Sequence, residues 1–178
     1  MKKEDLELKY CLPFVEALES KNDFRSWVLS RTPFRDIASS SRLMLDEMIE
    51  KRPKANYYWR SFYTETCRCA GDCGQETDIL FVFESNNSKF AIHFEVKHPT
   101  DKFEHGGRQA ASYPVRAACW ACSENGPKTL VPHERAATAL LCSEKKLNKF
   151  APNLVHFDTV FTFEEIYKNF PSVYPDFF

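Results

Sequence analysis

No stretch of this 178-residue chain stays apolar for the roughly 18 residues a membrane helix needs, because charges interrupt every hydrophobic run. The opening MKKEDLELKY has acids where a secretory signal has its apolar region, so the expected location is the cytoplasm and no membrane is expected as a partner. Basic charge is not in excess either. Twenty-four Lys and Arg face 25 Asp and Glu, for a net charge of −1, which excludes binding a polyanion through bulk charge. A nucleic acid would have to meet a local basic patch, with metal ions offsetting the carboxylates. Seven cysteines are an odd number, which excludes a complete set of internal disulfides and points to free thiols or metal ligands. Glycine is scarce, with five residues, and two of them fall in one turn, AGDCGQ. Internal repeats, low-complexity tracts and linkers are missing.

What remains is an ordinary globular composition, 43% hydrophobic and 28% charged, with 16 Phe and 7 Tyr making the core or a binding surface aromatic. One domain over 1–178 is expected: peripheral helices over 1–37, a core over 39–142, and a C-terminal strand and helix over 143–178. Within the core, RLMLDEMIEKR reads as a helix, with Met44, Leu45, Met48 and Ile49 on one stripe and Asp46, Glu47 and Glu50 off it. Residues 56–69, rich in aromatic and β-branched side chains, read as a strand. TDILFVFES and KFAIHFEVKHP follow as two more strands joined at Asn86-Asn87, so a three-strand antiparallel meander is expected. RQAASYPVRAACWACSEN has helical character, with Pro114 expected to kink or divide it. RAATALLC reads as a further strand, free to run parallel because a helix precedes it. Thr162 with Glu165 forms a capping box for a last helix that Pro171 stops.

Alternation in the third strand puts Phe90, Ile92, Phe94 and Val96 on one face and Ala91, His93, Glu95 and Lys97 on the other. Asp78 opens an otherwise apolar run, where a strand end lets a carboxylate meet a metal. Two carboxylates on adjacent strands can hold a divalent cation, and a lysine beside it favours hydroxide and developing negative charge. Helical i, i+4 spacing puts Gln109 and Tyr113 on one helix face.

An acid at a strand start followed by Glu95-Val96-Lys97 on the next strand resembles the PD-(D/E)XK nuclease superfamily. Gln109-Ala-Ala-Ser-Tyr113 looks like the Gln-xxx-Tyr element of one branch of those nucleases. The resemblance spans about residues 39 to 142 and departs where Thr77, not proline, precedes Asp78. It implies an α/β (α+β) restriction-endonuclease-like fold, with a mixed, mostly antiparallel sheet of four to five strands flanked by helices. It also implies Mg2+- or Mn2+-dependent hydrolysis of DNA, leaving a 5′-phosphate. Asp78, Glu95 and Val96 would hold the metal and Lys97 would activate water and stabilise charge. Gln109 and Tyr113 would position Lys97 or the substrate. An auxiliary acid from the preceding helix is assigned to Glu47, with Glu50 as its rival. His98, Lys102 and Arg108 are candidate substrate contacts, as is His105, and His93 shares the face of the motif without being assigned to it. A cutter of duplex DNA this small is expected to act as a homodimer.

Cys67, Cys69 and Cys73, with Cys119 and Cys122, have the composition of a four-thiolate zinc site. Their first half is not a C-x2-C knuckle, and buried or bystander thiols are the expected reading, with Zn2+ as the alternative. Two other functional readings remain open: an inactive module of this fold that binds nucleic acid or protein, and a zinc-stabilised structural domain.

Overall fold

The computed structural model describes residues 3–63, 76–103, 107–122 and 125–175. Helix α1 (Lys3–Ser20) and helix α2 (Asn22–Ser30) lead into a 3-10 turn at Arg35–Ser40, strand β1 (Arg42–Leu43) and helix α3 (Leu45–Lys51). Strand β2 (Phe62–Tyr63) pairs with β3 (Glu76–Thr77), and β4 (Ile79–Ser85) turns into β5 (Ser88–Lys97). Helix α4 (Arg108–Trp120), strand β6 (Arg135–Cys142), helix α5 (Leu147–Leu154), strand β7 (Thr159–Thr162) and helix α6 (Phe163–Asn169) complete the order. The main sheet runs β1-β4-β5-β6-β7, antiparallel from β1 to β5 and parallel from β5 to β7. It is the mixed, helix-flanked α+β sheet expected of the sequence.

The β4–β5 hairpin turns at Asn86 and Asn87, whose φ values of 52° and 62° are those of a two-residue type I′ turn. Asparagine tolerates that left-handed backbone, and the turn pins the register Ser85 to Ser88. With that register set, one face of β5 packs on α1 and the C-terminal segment. Phe94 meets Phe14 and Phe161 at ring separations of 5.2 Å and 6.5 Å. The other face meets α4, where His93 lies 5.4 Å from the Trp120 ring.

Three expectations change. Residues 56–61 form turns instead of a strand, and the place beside β4 belongs to β1. Arg52 donates to the carbonyls of Tyr58 and Arg60, and the Trp59 carbonyl accepts from Leu80 N–H at 2.9 Å, so the aromatic run is tied down as a loop. Its β2 remnant joins only the small β2–β3 ribbon. The N-terminal helices, read as peripheral, enter the core: Cys11, Phe14, Leu18, Phe24 and Val28 are fully buried, with Phe14 of α1 packed between Phe94 of β5 and Phe24 of α2. Pro114 lies inside one helix, not between two. Tyr113, Arg116, Ala117 and Trp120 bury one continuous stripe that holds α4 together across the missing N–H. Thr162 caps α6, its hydroxyl accepting from Glu165 N–H at 3.1 Å, while the Glu165 carboxylate pairs with Arg31.

Candidate active site

Asp78 stands just before the last β4–β5 rung, Ile79 to Phe94, and Glu95 stands just after it. The two acids therefore face each other where the ladder ends. Asp78 is 7% exposed, and its Oδ2 accepts from the Val96 N–H at 2.7 Å. Val96 thus enters the site through its amide. Glu95 is fully buried, and its carboxylate forms an ion pair with Lys97 Nζ on the same strand face. Lys97 Nζ is within hydrogen-bond reach of that carboxylate, and the Tyr113 hydroxyl also reaches Glu95. Lys97 Nζ also lies 3.8 Å from Asp101 Oδ2 and 5.2 Å from the centre of the Phe103 ring.

Burial first, then the Glu95 and Glu7 carboxylates, hold the Asp78 carboxyl well above the usual range; Lys97 and the Val96 N–H offset this in part. Burial alone would lower Lys97, but Glu95 and Asp78 outweigh it, and its pKa is raised. Lys97 is therefore a fixed cation and not a base.

Helix α4 supports this end of the sheet from above. Tyr113 is fully buried, with its hydroxyl 3.4 Å from the Phe94 carbonyl and 3.5 Å from that of Glu76. Burial, then Asp78 and Glu95, push its pKa well up, so it stays a phenol. Gln109, one turn earlier, is half-buried and its carbonyl accepts from Ser112.

Two further residues, which local sequence pattern did not nominate, join the site. Arg116 is fully buried, with Nε on Thr77 Oγ1 at 3.0 Å and Nη2 on the Glu76 carbonyl at 3.2 Å. It anchors the two residues that lead into Asp78. Its signal was available in sequence, since it lies three residues beyond Tyr113 on the same helical stripe. Glu7 of α1 is paired with Arg60 at 2.6 Å, and its pKa is raised by burial, with Arg60 partly opposing. Glu7 also contributes, after burial and Glu95, to raising Asp78, so α1 brings an acid within electrostatic reach of the site.

Glu47 does not fill that role. Its carboxylate takes Lys89 Nζ at 2.7 Å, and Lys89 lies six residues from Glu95 along β5, roughly 20 Å of strand. Glu50 lies exposed on the same short helix. The helix read as supplying the acid packs beside the opposite end of the sheet, and α1 takes its place. His98 is also unlike a substrate contact. It is 5% exposed and stacks on Tyr10 at 6.2 Å, with Nδ1 3.1 Å from Thr100 Oγ1, because alternation turns it to the α1 face. Lys102 and Arg108 are exposed. His105 and Cys67, Cys69 and Cys73 lie outside the described residues. Cys119 packs against the main core and Cys122 is exposed.

Among the described residues, no three or more His, Cys, Asp and Glu side chains gather as a closed metal cage would require. Mg2+ does not need such a cage, since it commonly takes one or two carboxylates and completes its shell with water and phosphate. Asp78 and Glu95 are hard oxygen donors of that kind, brought opposite each other at the end of the β4–β5 ladder. Around the site stand the acids Glu7, Asp78, Glu95 and Asp101 and the cations Arg60, Lys97, Arg116 and Lys146.

Comparison with protein-family models, curated proteins and solved structures returned no match. Among the described residues, no helix is long and apolar enough to cross a membrane.

Proposed function

We propose that this protein is a metal-dependent deoxyribonuclease hydrolysing phosphodiester bonds of DNA with Mg2+ or Mn2+. The observation that carries this reading is the meeting of Asp78, Glu95 and Lys97 at one sheet end, with Glu95 held out of water against Lys97. A bound divalent cation supplies Lewis acidity toward a phosphoryl oxygen and lowers the pKa of water. Asp78 and Glu95 would hold it. Lys97, a permanent cation, would stabilise charge developing on the phosphate and favour hydroxide nearby without removing the proton itself. Tyr113 braces the β5 backbone at Phe94, Arg116 braces the approach to Asp78, and Glu7, paired with Arg60, stands within electrostatic reach of Asp78. Gln109 sits one turn above Tyr113 to meet substrate.

Incubating labelled single-stranded and duplex DNA with the protein and either metal tests this. Cleavage by the wild type and a loss of at least about 100-fold in Lys97→Ala are expected. Equal cleavage by both proteins, or none with either metal, would sink the reading.

One observation favours a second reading, an inactive module of similar architecture that binds nucleic acid or protein. Glu95 is 0% exposed and Lys97 4%, the burial of a structural ion pair. On that reading Lys97→Ala lowers stability and there is no cleavage to lose.

A further inference from the structure

The net charge of −1 conceals an uneven distribution. Lys97 and Cys142 are register partners at the ends of β5 and β6, so the segments that follow both strands rise side by side. After β5, the loop turns at Asp101. Its N–H donates to the His98 carbonyl at 2.9 Å, its Oδ1 accepts from the Lys102 N–H at 2.9 Å, and its Oδ2 lies 3.8 Å from Lys97 Nζ. After β6, the turn Glu144–Lys146 starts α5, and Lys146 Nζ donates to the Asp101 carbonyl at 3.2 Å. One residue, Asp101, therefore lies between the ammonium of Lys146 and that of Lys97.

Four more cations surround this point. Lys145 and Lys149 are exposed and four residues apart, with Phe150 as the inward anchor of α5. Phe150 meets Phe103 at 4.9 Å, which ties the loop carrying exposed Lys102 to α5. Gly107, at φ 89°, brings the start of α4 so close to α5 that a Cβ there would stand 2.6 Å from Asn153 Oδ1. Exposed Arg108 follows directly. In the connecting turn the acid is Glu144; Glu164 beneath it already accepts from Ser143 Oγ and Glu144 N–H at 2.6 Å and 2.8 Å.

We infer that Lys102, Arg108, Lys145, Lys146 and Lys149 form a strip that holds the sugar-phosphate backbone of a DNA strand across the mouth of the Asp78–Glu95–Lys97 site. The inference rests on the nuclease reading for its direction, and its substance is a binding surface that can be measured without cleavage. Phosphate contacts of this type fix position and carry no sequence information, so the strip serves strand placement and not base choice.

The test uses the full chain in EDTA with a fluorescent oligothymidylate and a duplex of the same length, titrated against salt. Lys145→Gln/Lys149→Gln is compared with wild type and with Lys128→Gln, an exposed lysine in the connection beyond the other end of α4. Thermal melts establish that all three fold. The double variant should bind on the order of tenfold more weakly near 0.1 M salt, with its log–log salt slope on the single strand reduced by about 1.4, which is about 0.7 for each phosphate no longer neutralised. Lys128→Gln should match wild type. Unchanged binding and slope in the double variant, or no binding by the wild type, overturns the strip whether or not the protein cleaves DNA. Binding that depends on Lys145 and Lys149 without cleavage in Mg2+ or Mn2+ keeps the strip and removes the nuclease reading.

Discussion

Two residues apart on one face of β5, the protein buries ionisable groups in opposite ways. At Glu95 a carboxylate is taken fully out of water against a lysine, with a second acid and a tyrosine beside it. At His93 an imidazole is taken out of water against Trp120 and His133, with neither ring nitrogen hydrogen-bonded. Burial, then His133 and Arg116, lower His93 well below its ordinary pKa, so it is neutral. A charge survives burial where a counter-charge stands within reach, and is given up where none does. The paired site retains ionic chemistry, and the neutral cluster is packing. This is why His93, on the same face as the motif, takes no part in it.

Removing the counter-charge should produce the largest effect. Lys97→Met leaves Glu95 buried and uncompensated, and urea denaturation should show a loss of about 3–5 kcal/mol. Adding Glu95→Gln should restore much of it; a double variant no more stable than the single one would mean that the two residues do not act as a pair.

The two clusters should also respond to pH with opposite sign. His93 has a depressed native pKa, so below about 6.5 the unfolded chain takes up a proton that the native state refuses. Its contribution to stability is kept above about 6.5 and lost as pH falls from there toward the native value. Asp78 has a raised native pKa, so its contribution is fullest below the ordinary aspartate value of about 3.9 and drains as pH rises through the native value. His93→Phe should flatten the acid side of the stability profile and add about 1–2 kcal/mol at low pH by removing unpartnered ring nitrogens. Asp78→Asn should flatten the other side, and Mg2+ should raise the melting temperature of the wild type more as pH increases. A Mg2+ shift independent of pH would separate Asp78 from cation binding.

The smallest contrast separates the two helix acids. Glu7→Gln should weaken Mg2+ binding several-fold in a calorimetric titration by removing nearby negative charge. Glu47→Gln should leave it unchanged and alter stability by less than about 0.5 kcal/mol, as for an exposed ion pair. Equal effects from the two would place the helix acid elsewhere.

Much of the candidate site was legible in local pattern. Period-2 alternation put Glu95 and Lys97 on one face, Asn86-Asn87 set the hairpin that brings Asp78 opposite Glu95, and helical spacing aligned Gln109 with Tyr113. Residues 56–61 misled because aromatic side chains suit both a strand and a packed loop, and Arg52 and Leu80, distant from them in sequence or in fold, decide between the two, while 64–69 lie outside the described residues.

By itself the chain's sequence determined which way each side chain points from its own strand or helix, since those directions follow from backbone periods of 2.0 and 3.6 residues. Only the tertiary structure decided what each one meets. It sent α3 to the far end of the sheet with Glu47, laid α1 beside Asp78 with Glu7, and turned His98 under Tyr10. The physical reason is that periodicity is a property of one element, whereas the partner across a buried interface is chosen by the packing of whole apolar faces. The Phe14–Phe94 contact sets α1 against β5 and carries Glu7 to the acids with it.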